Sequence, residues 1–150
     1  MTLHFCAHGI PQPKGSAKAF IPKGWKRAIV TSDNSKNKGW QQLVAEAAGA
    51  AIGMANDFRL IDGPAALTVV FYLPRPKAIK NKIVPHIKKP DLDKLVRSCK
   101  DAMTGVVFRD DALVTEITAR KCYARPGESP RAEISVMAIA DPASLFSKVG

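Results

Sequence analysis

The sequence predicts an α+β fold: one domain spanning residues 1–150, with a mixed β-sheet and two main helices packed on it. Three observations lead there. Apolar residues recur at helical spacing in two windows, Trp40–Ile52 and Leu92–Met103. Six other short stretches are apolar or β-rich and end at Gly, Pro or polar turn residues. The elements run strand, hairpin, helix, strand, basic loop, helix, two strands, an order that segregates rather than strictly alternates helix and strand. With 150 residues and 46% hydrophobic content, the chain can bury one real core but is too short for two ordinary domains.

Each element has a local cause. Leu3–Ile10 is a short apolar run ended by Pro11 and Pro13, a candidate edge strand. Ala17–Ile21 and Arg27–Thr31 flank the turn signal Pro22-Lys23-Gly24 and are expected to form a hairpin. Residues 32–38 are polar and loop-like. In the first helix Trp40, Leu43, Val44, Ala47, Ala48, Ala51 and Ile52 form one wide stripe whose Ala- and Gly-rich centre permits close approach. Asp62-Gly63-Pro64 turns the chain into Ala65–Leu73, whose β-branched and aromatic content suits a central strand. The second helix is preceded by Pro90, with Asp91 as its expected N-cap, and stops at Thr104-Gly105. It should bury Leu95, Val96 and Cys99 and present Asp93 and Arg97 to solvent. Leu113–Tyr123 and Arg131–Ile139 read as two antiparallel strands joined by the turn at residues 124–130.

Composition narrows the function. Lys and Arg number 23 against 13 Asp and Glu, a formal charge of +10. Such a field attracts polyanions, of which nucleic acid is the commonest. The N-terminal stretch lacks a signal-peptide pattern, and no apolar run approaches the ~20 residues needed to span a bilayer, so a cytoplasmic protein without membrane partners is expected. Three scattered cysteines, Cys6, Cys99 and Cys122, make no disulfide framework and suit a reducing compartment. Cys6 and His8 have no second ligand pair for zinc and read as strand residues.

The charges are unevenly placed. From Pro74 to Pro90 there are six basic residues, four prolines and no acid. Arg75, Lys77, Lys80, Lys82, Lys88 and Lys89, with Lys94 just beyond, are the candidate phosphate contacts. Directly afterwards Asp91, Asp93, Asp101, Asp110 and Asp111 fall within 21 residues. Carboxylates beside a polyanion-binding surface oppose binding unless a divalent cation sits between them and the phosphate, which is the logic of a Mg²⁺ site in phosphoryl transfer. Asp93, Arg97 and Asp101 share one helix face, but Asp101 lies about 12 Å along from Asp93, too far to share an ion; orienting Arg97 or plain solvation suits it better. Of Asp110 and Asp111, only one can easily face the site. Helix capping and turn formation explain the same acids without catalysis, so these residues by themselves are compatible with a metal-dependent nuclease and with a non-catalytic basic DNA-binding module.

The run KPDLDKLVRSCKDAMTGVVFRDDALV resembles the signature of the RusA family of Holliday junction resolvases: Asp-x-Asp, a basic residue four beyond the second Asp, Asp-Ala-(Leu/Met), Gly, and Asp-Asp. The likeness is specific over Pro90–Tyr123, with Lys121 and Tyr123 in the following strand, and looser elsewhere. It implies an endonuclease, dependent on Mg²⁺ with Mn²⁺ as a substitute, that resolves four-way junctions and other branched DNA as a homodimer, from a bacterial, prophage or phage genome. By position it implies Asp91, Asp93 and Asp111 as catalytic metal ligands, and Arg97 where the family usually has a catalytic lysine. This chain departs from the pattern there and at Lys94, where Asn is usual; arginine keeps the charge but not the shape or hydrogen bonding of lysine. A restriction-type site is a poorer match, because Glu116 is followed two places on by Thr118 rather than lysine. Lys121, about 33 Å from Asp111 along a straight strand, reads as a DNA contact or surface lysine.

Overall fold

The computed structural model describes residues 1–139 apart from Ser16, Pro22, Trp25, Ala28 and 33–35. The polar stretch at 33–35 and the tail beyond 139 lie outside the described residues. Six strands and two helices follow in the order β1 (Thr2–His8), β2 (Ala17–Phe20), β3 (Ile29–Ser32), α1 (Asn37–Met54), β4 (Ala65–Leu73), α2 (Leu92–Met103), β5 (Val114–Tyr123) and β6 (Arg131–Ala138). Four strands form a mixed sheet in the order β1-β6-β4-β5, and β2 and β3 pair separately as the expected antiparallel hairpin.

Alternation along β4 explains its place. Ala65, Leu67, Val69, Phe71 and Leu73 are buried, while Ala66, Val70 and Tyr72 are only partly covered. The buried row joins Leu3 and Ala7 of β1 and Ala132, Ile134 and Val136 of β6 on one sheet face. Helix α1 lies against that face through Trp40, Val44 and Ala48, and α2 through Leu95, Val96, Cys99 and Met103. A polar seam joins the helices: Gln41 donates to the Ser98 carbonyl at 3.1 Å, and the Ser98 hydroxyl donates to Asn37 Oδ1. Burial pushes the Cys99 thiol up to about 12, so this cysteine is an inert core residue. Gly9, at φ +145°, lets the exit of β1 pass α1; a Cβ there would lie 2.9 Å from Leu43 Cδ1.

One sequence expectation is corrected. The last two strands run in opposite directions but are not partners. β6 pairs antiparallel with β1 and β4, and β5 pairs parallel with β4, so β4 stands between them. Crossing one intervening strand spans about 10 Å, which the seven-residue connection 124–130 covers easily. The whole of α2 therefore belongs to a crossover linking the parallel pair β4 and β5, the usual solution when parallel neighbours must be joined. No helix among the described residues is long and apolar enough to cross a membrane.

Candidate active site

The first turn of α2 sits at the end of the sheet where β4 and β5 finish. Asp91 holds the N-cap position with extended backbone, yet its carboxylate makes no capping hydrogen bond. Asp93 follows one residue into the helix, and its carboxylate stands 3.7 Å from the Arg97 guanidinium one turn on. Both partners of that pair are largely exposed, as expected, while Leu95, Val96 and Cys99 are buried. Asp101 is not the partner of Arg97: it accepts from Lys14 Nζ at 2.6 Å, a contact 87 residues apart in sequence.

A cleft of about 630 Å³ opens beside Asp91. Its walls come from the chain after β1, from the ends of β4 and β5 and from the basic loop, including Pro11, Lys14, His86, Lys88, Lys89 and Tyr123. A second groove, about 560 Å³, runs along α2 between Asp93, Arg97 and Lys100 on one side and Ile117 and Ala119 on the other. The acids thus stand at the junction of two open surfaces lined by basic side chains.

The basic loop is fixed by cations that sequence reasoning assigned to phosphate or surface. Arg75 Nε donates to the Ala124 carbonyl at 2.7 Å, and its Nη1 donates to the carbonyls of Lys80 and Lys82 at 2.9 and 3.0 Å. Lys121 Nζ donates to the carbonyls of Lys88 and Pro90 at 2.6 and 2.8 Å. Between them the His86 ring packs on Tyr123, with ring centroids 4.5 Å apart. Burial, and then the nearby Lys121 charge, hold the His86 imidazole below its ordinary pKa, favouring the neutral ring. Lys77, Lys80, Lys82, Lys88 and Lys89 remain exposed along the loop, and Lys94 is half-buried at the cleft.

Asp110 and Asp111 occupy the other end of this layer. Asp110 Oδ1 accepts from the Ala112 amide at 2.9 Å and so caps the short 3-10 turn Asp111–Leu113 that enters β5. Asp111 is half-buried there. β5 runs from that turn to Lys121, which touches the carbonyl just before Asp91. Seven residues of strand separate Val114 from Lys121, about 23 Å. A single chain therefore brings Asp91, Asp93 and Arg97 together and leaves Asp111 at the opposite end of β5. Among the described residues no three His, Cys, Asp or Glu side chains converge as a ready-made metal cage.

A family model for the endodeoxyribonuclease RusA matches residues 11–137. The chain belongs to the RusA endodeoxyribonuclease family. The matched span holds every residue of the site described above. A Bacillus subtilis (strain 168) protein, the uncharacterized YqaN, is 27% identical over 144 residues, covering 89% of this chain and 94% of that one. A RusA-family chain with an α+β mixed sheet and two helices agrees with the fold expected from sequence.

Two carboxylates in one helical turn suit a hard divalent cation. Mg²⁺ usually takes one or two carboxylates and completes its shell with water and substrate phosphate rather than with a closed protein cage. Asp91 and Asp93 fit that pattern. The signals missed by sequence reasoning were Arg75 and Lys121 as loop anchors and Lys14 as the partner of Asp101. Lys121 and Lys14 reach partners far off in sequence that only the crossover and sheet order bring near, and Arg75 joins one such partner, the Ala124 carbonyl, to two carbonyls of its own loop.

Proposed function

We propose that this protein is a Mg²⁺-dependent endonuclease that cuts four-way junctions and related branched DNA, acting in the cytoplasm as a two-fold dimer. The observation that carries this reading is the state of Asp91: at a helix N-cap beside a lysine-lined cleft, its carboxylate is not used for capping. The structural explanation of the acid cluster therefore holds for Asp110, which does cap, and not for Asp91. A Mg²⁺ or Mn²⁺ ion held by Asp91 and Asp93 would supply Lewis-acid charge and lower the pKa of a bound water.

The chain's own residues do the rest. Lys88 and Lys89 lie on the cleft wall, where they can hold the DNA backbone over the first turn of α2. Arg97 reaches the same place from one turn further along and offsets the negative charge that develops on the phosphoryl oxygens. It remains protonated, so it stabilises charge and is not the general acid.

Asp111 joins this site most simply from a second copy. Two chains related by a two-fold axis, with their α2–β5 layers antiparallel, would set Asp111 of the partner subunit near Asp91 and Asp93. The same symmetry places two sites on one side, as cutting opposed strands of a junction requires.

Single-turnover cleavage of a synthetic mobile junction, with binding measured in Ca²⁺, tests the reading. Asp93→Asn should abolish most cleavage and leave junction binding intact or stronger, because it removes a negative charge facing phosphate. Wild-type cutting rates from both Asp91→Asn and Asp93→Asn would refute it.

A further inference from the structure

The basic loop carries two isoleucines that the described residues leave almost uncovered, with a partly covered valine beside them. Ile83 is 99% exposed, Ile87 83% and Val84 36%. Isolated exposed apolar residues are ordinary on protein surfaces. Three within five residues, on a loop otherwise rich in lysine, form a patch that needs a partner.

The loop is also held in place. Arg75 grips the carbonyls of Lys80 and Lys82 on the near side, and Lys121 grips those of Lys88 and Pro90 on the far side. His86 packs on Tyr123 between Ile83 and Lys88. The stretch carrying the isoleucines is therefore anchored on both flanks and in its middle, and it presents them at a fixed place, eight and four residues ahead of Asp91.

Charge chooses the occupant. Lys80, Lys82, Lys88 and Lys89 flank the isoleucines, and no acid occurs from Pro74 to Pro90. The matching surface must be anionic outside and apolar just beneath. DNA meets both conditions, with phosphates at the surface and stacked bases inside.

We propose that Ile83 and Ile87 form a wedge that enters the base stack at a DNA branch point and selects branched over continuous duplex. The proposal rests on the reading of the neighbouring site as a nuclease of branched DNA. Its physical basis is a difference in cost. Apolar side chains inserted into continuous duplex must unstack a base step, whereas the arms of a branch point already present interrupted stacking. The same two side chains bury equal apolar area in either case, so the saving appears only at the branch.

The test uses full-length protein with Ile83→Ser and Ile87→Ser combined. Both side chains are exposed, so the core is untouched, and Ile83→Leu with Ile87→Leu serves as the conservative control. Affinities for a four-way junction and for linear duplex of the same sequence are measured in Ca²⁺, together with the fluorescence of 2-aminopurine placed at the branch. Wild type and the leucine variant should brighten the probe. The serine variant should not, and its junction affinity should fall about tenfold to a hundredfold while duplex affinity stays put.

An unchanged junction-to-duplex ratio with unchanged fluorescence would overturn the wedge. So would an equal loss on both DNAs, or loss of the dimer by light scattering, which would make the patch a contact between copies. The nuclease reading fails separately. Wild-type protein that opens the branch through the isoleucines but cuts no DNA in Mg²⁺ would leave the wedge standing and remove the catalytic assignment.

Discussion

Arg97 and Asp93 form an exposed pair at 3.7 Å, and such pairs add little to stability. A large effect of replacing Arg97 would therefore not be a loss of stability. Arg97→Ala should cut the single-turnover rate by about a hundredfold, the loss typical when one charge-stabilising donor is removed. Arg97→Lys should retain measurable cleavage, because the compact ammonium restores the charge at the same place. Normal cutting by Arg97→Ala would make the cation structural and turn attention to Lys94. The adjacent acids of the Asp-Asp pair should separate cleanly. Asp110→Ala removes the cap on the turn before β5 and should cost about 1 kcal/mol in urea unfolding, with Asp110→Asn milder because the amide oxygen still accepts. Asp111→Asn should leave stability alone and reduce cleavage. At this scale the positions of Asp91 before α2 and of Asp110 in a turn were legible, because Asp favours helix N-termini and turns. Lys121 was not, since its partners at Lys88 and Pro90 lie more than thirty residues away and depend on which strand borders β4.

The basic loop behaves as a built element rather than a string of charges. Replacing Lys80, Lys82, Lys88 and Lys89 by Ala should flatten the log–log salt dependence of junction binding by several units, at about −0.9 per phosphate neutralised. Arg75 belongs to a different class: its guanidinium is committed to three carbonyls, so Arg75→Ala should loosen the loop, with faster amide exchange over residues 80–90. pH acts on the same element through His86. Its folded pKa lies below the ordinary 6.5, so the unfolded or released loop binds the extra proton. The stability due to the neutral ring is full above about pH 6.5 and is lost as pH falls through that value towards the folded pKa. A proton NMR titration of His86 against loop exchange rates checks the sign. Helices α1 and α2 were legible from their spacing, although α1 begins three residues before Trp40 and leaves Leu43 of the expected stripe 42% exposed. The pairing of β5 with β6 was misread because adjacency in sequence is only a tendency, and a seven-residue connection has reach enough to step over β4.

For the whole molecule, assembly is the decisive expectation. Light scattering at micromolar concentration, with and without junction DNA, should give a dimer, and mixing Asp93→Asn with Asp111→Asn protein should restore part of the cutting that neither variant shows alone. A strict monomer, or no rescue on mixing, would count against a site shared between chains. The strand order has a temporal meaning as well. β6, the last strand among the described residues, lies between β1 and β4, and its Ala132, Ile134 and Val136 complete the core beneath α1 and α2. A nascent chain still waiting for residues 131–138 has its first strand and its central strand without the partner they share. The four-stranded sheet therefore closes only after residues 131–138 have been made, and a chain cut off before them cannot complete the core beneath its two helices.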